Sequence, residues 1–170
     1  SKDFVRKIIK YKESAPIVAV GWELGLEGAE EDNNKAEEFT EAFEMAQQAG
    51  FFKTAHCGEA QDAWSVWDAI KHLKVDRIDH GVQAAGDPEL VKYLADKKIP
   101  LTICPSTNLL CGLYDSFKDH PLGAMRKSGV IVSVNTDDPA YIFDDLNAEY
   151  AKVVEAYGYG EDDVIELEKM

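Results

Sequence analysis

The fold of this chain is decided most clearly by the stretch VIVSVNTDDP at residues 130–139. Four of its first five residues are apolar and β-branched, which is typical of a strand buried within a sheet. The next four residues are polar and are followed by Pro139, which is typical of a turn that leads into a helix. The stretch therefore predicts a buried strand whose carboxyl end presents Asp137 and Asp138.

The same change from an apolar strand to a polar end recurs along the chain. Short runs that resemble buried strands occur at residues 17–21, 52–56, 75–80 and 101–104. Segments with apolar residues three and four positions apart lie between them, which indicates helices. Strands that alternate with helices predict one α/β domain around a parallel sheet that is buried on both faces.

Two architectures fit five strand–helix units. One is a doubly wound, flavodoxin-like sheet, and the other is the C-terminal part, about five βα units, of a (β/α)₈ TIM barrel. The chain has 170 residues, which suits the first and falls short of the roughly 250 residues of a whole barrel. Periodicity leaves both architectures open.

Composition excludes several classes of function. Lysine and arginine number 18 against 32 acidic residues, which gives a net charge of −14. Such a chain repels phosphate and anionic lipid, so we expect neither a nucleic acid nor a membrane as partner. The sequence has no run of about 20 apolar residues and no signal-peptide core at its start. Three cysteines without a C-x-x-C pair predict reduced thiols and a cytoplasmic protein.

Polar residues suited to metal chemistry follow four of the predicted strands. They occur in the segments TAHCGE (54–59), RIDHG (77–81), CPSTN (104–108) and NTDDP (135–139). Each segment alone has an ordinary structural explanation, such as a turn or a helix cap. Together they place histidines and carboxylates at one edge of the sheet, where α/β enzymes hold their active sites. Glycine-rich phosphate motifs are absent from the sequence, so a hydrolytic metal site is favoured.

These four segments, in this order, resemble the adenosine/adenine deaminase family of metal-dependent hydrolases, which are TIM barrels. They look like the family's T-x-H-A-G-E, R-I-x-H-G, C-P-x-S-N and N-[ST]-D-D-P motifs. The resemblance implies one zinc ion (Zn²⁺) per complete active site, with His56 and Asp137 among its ligands. It also implies that Glu59 protonates N1 of the purine and that His80 orients and deprotonates the attacking water.

The resemblance also implies a small-molecule purine substrate. Asp138 would hydrogen-bond to N7 of the base, and Gly28 would let the backbone approach the ring. The implied reaction is the hydrolytic deamination of adenine or adenosine with release of ammonia. The segments at residues 77–82, 118–122 and 138–141 look closer to the adenine deaminases.

The sequence departs from the family in its metal ligands. The family's H-x-H pair is absent, and no histidine precedes His56. We therefore expect residues 1–170 to form a partial deaminase domain, with barrel units over 17–150 and C-terminal helices over 151–170, that is weakly active or inactive alone. The alternatives are a non-catalytic ligand-binding module, a homo-oligomer that completes the half-barrel, and a deaminase of another amino-purine.

Overall fold

The structure, a computed structural model, describes residues 2–23, 35–142 and 145–169. Five parallel strands form one sheet: β1 (Ala19–Glu23), β2 (Phe52–Cys57), β3 (Arg77–His80), β4 (Leu101–Ile103) and β5 (Val132–Val134). The α-helices in these ranges are α1 (Lys2–Tyr11), α2 (Thr40–Gln48), α3 (Ala63–Leu73), α4 (Pro88–Lys97), α5 (Pro105–Leu110), α6 (Leu122–Lys127), α7 (Pro139–Ile142), α8 (Leu146–Tyr157) and α9 (Glu161–Glu168).

The strand order distinguishes the two architectures. Neighbours in the sheet are also neighbours in sequence, in the order β1-β2-β3-β4-β5. A doubly wound sheet reverses its direction at a switch point and so cannot have this order. Right-handed crossovers in a single direction place the connecting helices on one face, as in a (β/α)₈ barrel. The chain therefore has the fold of five consecutive barrel units, and the barrel prediction is confirmed.

The face of the sheet that packs against the helices is apolar. Trp22, Ala55, Ile78, Leu101 and Val132 pair across the five strands into a single row. Every member of this row is buried. Burial of apolar surface stabilises the fold by roughly 25 cal/mol per Å², so this row is the centre of the hydrophobic core.

The opposite face of the sheet is polar, and the expectation of burial on both faces was wrong. His56, Asp79, Thr102 and Ser133 form the corresponding row on this face. The first three of these residues are only half-buried. In a barrel this face lines the interior, so it carries the groups that approach a ligand.

Local sequence signals explain where several helices begin and end. Asp87 accepts hydrogen bonds from the backbone N–H groups of Glu89 and Leu90, and Pro88 is the first residue of α4. Gly50 adopts a positive φ of 74° just after α2. A helix start at Pro139 was expected, and α7 begins there; the short helix α5 and the 3-10 helix Val82–Gly86 were not predicted. Among the described residues, no helix is both long enough and apolar enough to span a membrane.

Candidate active site

The carboxyl ends of β2 and β3 bring two histidines and a glutamate together. The strand register sets His56 opposite Asp79 and Cys57 opposite His80. The rings of His56 and His80 have centroids 4.5 Å apart. Glu59 follows β2, with Oε2 3.5 Å from Nε2 of His56 and Oε1 3.4 Å from Nδ1 of His80.

The loop after β5 adds a second carboxylate to the same group. Asp137 Oδ2 lies 3.9 Å from His80 Nε2. Four of the residues singled out from the sequence, His56, Glu59, His80 and Asp137, are thus neighbours. Asp138 is the next residue and is exposed, whereas Gly28 lies outside the described residues.

Unusual backbone conformations aim two of these side chains. Among the described non-glycine residues, four have a positive φ. Lys74 and Lys98 are ordinary helix C-caps at the ends of α3 and α4. The other two are His80, at φ 66°, and Asp137, at φ 61°. Left-handed backbone at non-glycine residues is held only where the surroundings enforce it, and it is common at functional sites.

A close approach between the ends of β2 and β3 requires glycine. Gly58 has a φ of +68°, and a Cβ atom there would lie 2.4 Å from Cγ2 of Val66 and 3.2 Å from Cα of Gly81. Gly81, which follows His80, has a φ of +72° and a Cβ there would lie 2.9 Å from Leu101. These glycines allow the two turns to pack together, which fixes the distance between Glu59 and His80.

A second polar cluster supports the site from the sheet interior. Asp79 accepts hydrogen bonds from the hydroxyls of Thr54 (2.6 Å) and Thr102 (2.8 Å). The Nε atom of Arg77 lies 3.0 Å from Asp79 Oδ1. Sequence reasoning assigned no role to these residues. A charged residue in the middle of a predicted strand is the signal that could have identified Asp79.

Another group missed from the sequence contacts Glu59 directly. The side-chain amide of Asn108 donates to Glu59 Oε1 at 2.9 Å. Asn108 lies in α5 and is fully buried. It is the last residue of the CPSTN segment, so its position in that motif was the available signal.

The two carboxylates differ in their electrostatics. Burial acts to raise the pKa of Glu59, but the imidazole of His56 and the charge of His80 outweigh it, so this pKa is lowered. Burial raises the pKa of Asp137, and the charges of Glu59 and Asp138 raise it further. Burial also raises the pKa of the Cys104 thiol, and the charge of Asp137 raises it further. Cys104 is therefore a neutral thiol rather than a nucleophile.

A cavity of about 610 Å³ opens onto His56, His80 and Asp137. One part of its wall is apolar and includes Phe4, Trp22 and Phe43. The other part is polar and includes His56, Asp79, His80 and Asp137. An apolar wall facing a few convergent polar groups is typical of a small-molecule site, and the volume is in the usual range.

The donor atoms in the site fit a metal ion. Two sets of side chains bring three donor atoms within 4.8 Å of one another. The first set is His56, Glu59 and His80, and the second is His80, Cys104 and Asp137. Imidazole nitrogen and carboxylate oxygen are the ligands that zinc prefers in hydrolytic sites. Burial raises the pKa of Asp137, and the charges of Glu59 and Asp138 add to this rise although His80 opposes it; a bound cation would favour the ionised carboxylate. Both sets, one with His56 and the other with Asp137, are thus chemically suitable for zinc and share His80.

Comparison with known proteins gives consistent results. The profile of the family described as adenosine deaminase matches residues 1–170. The adenine deaminase of Crocosphaera subtropica is 42% identical over 147 residues, which are 86% of this chain and 44% of that protein. The adenosine deaminase of Shewanella loihica is 38% identical over 149 residues, or 88% of this chain and 43% of that protein. These matches confirm the resemblance inferred from the four motifs.

Solved structures agree with the barrel architecture. The crystal structure of adenine deaminase from Arthrobacter aurescens superposes with a TM-score of 0.84 at 30% identity, covering 98% of this chain and 50% of that chain. An amidohydrolase from Burkholderia ambifaria, with bound Zn, gives 0.80 at 28% identity, covering 98% and 46%. The chain spans about half the length of these proteins and less than half of the two curated relatives.

Proposed function

Because the chain belongs to the adenosine deaminase family, we propose that its site takes part in the hydrolytic deamination of a 6-aminopurine. In this reaction water forms a C6–O bond, the C6–N bond breaks, and the amino group leaves as ammonia. The observation that carries the proposal is the convergence of His56, Glu59, His80 and Asp137 at one edge of the sheet. Family membership supports the reaction class.

We assign His56 and Asp137 to a zinc ion. When bound, zinc supplies a nucleophile at neutral pH by lowering the pKa of water. Two ligands hold a divalent ion weakly compared with four. We therefore expect the 170 residues by themselves to bind zinc weakly and to have little activity.

We assign the two proton transfers to His80 and Glu59. Nδ1 of His80 faces Glu59 and Nε2 faces Asp137, so Nε2 is the atom that accepts a proton from water held near Asp137. Because the pKa of Glu59 is lowered, its carboxylate takes up a proton as the purine binds, delivers it to N1 and recovers a proton from the hydroxyl added at C6. His80 passes the proton that it takes from water to the amino group, which leaves as ammonia. General acid–base groups of this kind contribute about 10²- to 10⁴-fold to a rate.

We place the purine in the cavity next to these groups. Asp138 would hydrogen-bond to N7. Adenine is the favoured substrate, because three segments look closer to the adenine deaminases and the Crocosphaera subtropica relative carries that name.

The proposal is tested by measuring ammonia release from adenine and adenosine in the presence of zinc. The protein is the longest product of the reading frame that encodes this chain, with the 170 residues alone as a second sample. We expect release from adenine to exceed release from adenosine. Glu59→Gln keeps the shape of the side chain but removes its acid, so the rate should fall about 10³-fold.

A matched substitution controls for general effects of charge. Glu44 lies in α2, is exposed and is not among the residues that line the cavity, so Glu44→Gln should leave the rate unchanged. If no ammonia is released from either purine by the zinc-loaded protein, or if Glu59→Gln retains full activity, the proposed function is wrong.

A further inference from the structure

A buried chain of hydrogen bonds extends from Glu59 away from the cavity. Glu59 Oε1 accepts from the Asn108 amide, and Oδ1 of the same amide lies 3.1 Å from Nε2 of His120. His120 lies just before α6, and its Nδ1 atom accepts the backbone N–H of Leu122 at 3.2 Å. The chain thus runs from Leu122 through His120 and Asn108 to Glu59.

The direction of every bond in this chain is determined by its chemistry. The Leu122 N–H can only donate, so Nδ1 of His120 carries no proton. Nε2 of a neutral imidazole is then protonated and donates to Oδ1 of Asn108. The Asn108 amide is therefore fixed with its NH₂ group, rather than its carbonyl, toward Glu59.

Burial holds both relay residues in this state. Asn108 is fully buried and His120 is 3% exposed, so neither can exchange its partner for bulk water. The hydroxyl of Tyr157 donates to the backbone carbonyl of His120 at 2.9 Å, and the Tyr114 ring packs edge-on at 4.8 Å. Burial also lowers the pKa of His120 to about 4, which agrees with a neutral ring.

The helix that carries Asn108 is anchored independently. Glu149 of α8 is fully buried, and its Oε1 atom accepts the backbone N–H of Ser106 at 2.7 Å. This bond fixes the first turn of α5, and therefore the position of Asn108 relative to β2. Orienting groups of this kind affect catalysis because a displacement of about 1 Å can change a rate by about 100-fold.

We propose that His120 is a positioning residue for the deamination, acting through Asn108 to fix the orientation of the Glu59 carboxyl. The proposal rests on the proposed function of Glu59. Oε1 of Glu59 accepts from Asn108 and Oε2 lies toward His56, so the Asn108 amide fixes how the carboxyl group is turned. His120 itself is not among the residues that line the cavity.

Two substitutions of His120 separate this role from a purely structural one. The amide of His120→Asn reaches the position of Nδ1, so it keeps the contact with Leu122 but loses the donor to Asn108. The amide of His120→Gln reaches the position of Nε2 and keeps that donor. We expect His120→Asn to lower kcat about 10- to 100-fold with KM changed less than about twofold, and His120→Gln to recover most of the lost kcat.

The matched control is His72→Asn, because His72 is half-buried in α3 and pairs with Asp68 rather than with the site. It should leave kcat unchanged. The positioning role is overturned if His120→Asn retains the wild-type kcat, or if His120→Gln loses as much kcat as His120→Asn.

A spectroscopic measurement distinguishes failure of this inference from failure of the proposed function. Imidazole ¹⁵N–¹H correlation spectra report the tautomer of each histidine without substrate, and the His120 signals are assigned by their disappearance in His120→Gln. We expect a neutral ring protonated at Nε2. The Nδ1–H tautomer would overturn the relay, whereas the Nε2–H tautomer in a protein that deaminates no purine would refute only the proposed function and the role that depends on it.

Discussion

Glu59 and Asp137 both approach His80, yet the pKa values of their carboxyl groups are shifted in opposite directions. Burial acts to raise the pKa of Glu59, but the imidazole of His56 and the charge of His80 prevail and lower it. Burial also raises the pKa of Asp137, and the charges of Glu59 and Asp138 add to this rise against the opposing charge of His80. The site thus has a half after β2 and β3 where the histidines outweigh the burial of the carboxylate, and a half after β5 where they do not.

The difference shows how the two halves are held in place. The half after β2 and β3 is fixed by close packing at Gly58 and by the Asn108 amide, so the protein itself supplies what orients Glu59. The side chain of Asp137 is 26% exposed, and its loop brings like charges together. Crowded carboxylates favour a bound cation, so the second half is the one that a metal ion would complete.

The largest expected effect comes from breaking the packing of the first half. In Gly58→Ala, the new Cβ would lie 2.4 Å from the buried, β-branched side chain of Val66, and the residue would keep a positive φ of 68°. The conformational cost is about 1–2 kcal/mol and overpacking adds about 1–3 kcal/mol. We expect the free energy of unfolding, measured with urea, to fall by about 4 kcal/mol.

Gly112 provides the matched control for this substitution. Its φ is +73°, but a Cβ there would meet no atom within 4 Å. Gly112→Ala should therefore show the conformational cost alone, about 1–2 kcal/mol. Equal losses for the two variants would contradict the argument that close packing at Gly58 determines the geometry of the first half.

The second-largest expected effect is a loss of stability at low pH, which arises because His120, the residue that supports the first half, becomes protonated on unfolding. Burial lowers the pKa of His120 to about 4 in the folded protein, from 6.5 in the unfolded chain. Between these values the unfolded state binds more protons, so stability falls as the pH is lowered from 6.5 toward 4. Since each pKa unit corresponds to about 1.4 kcal/mol, the loss approaches about 3 kcal/mol.

Other groups also titrate in this range, so the contribution of His120 is measured by comparing wild type with His120→Gln. The difference in unfolding free energy between wild type and this variant should shrink by about 3 kcal/mol between pH 7 and pH 4. The tyrosines around His120 do not titrate in this range, because burial raises the pKa of Tyr114 and raises that of Tyr157 to about 12. Parallel stability curves for the two proteins would show that His120 titrates normally.

The strands and the site motifs could be predicted because their signals are local. A run such as residues 130–134 is apolar over the length of a strand, and the polar residues that follow it must lie at the sheet edge. The convergence of His56, Glu59, His80 and Asp137 followed from that rule. Periodicity could not distinguish a barrel from a doubly wound sheet, because both use the same strand–helix unit. The sequential strand order, together with the family motifs, made that distinction.

The parts that could not be predicted depend on contacts distant in sequence. Asn108 and Glu59 are 49 positions apart, and the contact arises from the packing of α5 against the end of β2. His120 gave the signal of a helix start before a proline and lay in the segment 118–122 that resembles the family, but neither signal indicated a contact with Asn108. The polar sheet face was also missed, because single polar residues such as Thr102 are hard to distinguish from exceptions within an apolar strand.

The smallest expected effect concerns the unfolding free energy of the metal-free protein, and it tests the contrast between the halves most directly. Glu59→Gln removes a charge that His56 and His80 stabilise, so in a chelating buffer it should lower the unfolding free energy by about 1–2 kcal/mol. Asp137→Asn removes a charge that burial and neighbouring carboxylates disfavour, so it should leave the unfolding free energy unchanged or raise it.

Addition of zinc should reverse the order of stability of wild type and Asp137→Asn. A ligand that binds the folded state stabilises it in proportion to the logarithm of its concentration over Kd, so zinc should stabilise wild type more than Asp137→Asn. Glu44→Gln is the control, since Glu44 is exposed in α2 and is not a proposed ligand; its zinc response should match wild type. Equal zinc responses for wild type and Asp137→Asn, or a metal-free loss of stability in Asp137→Asn as large as that in Glu59→Gln, would remove the distinction between the two halves.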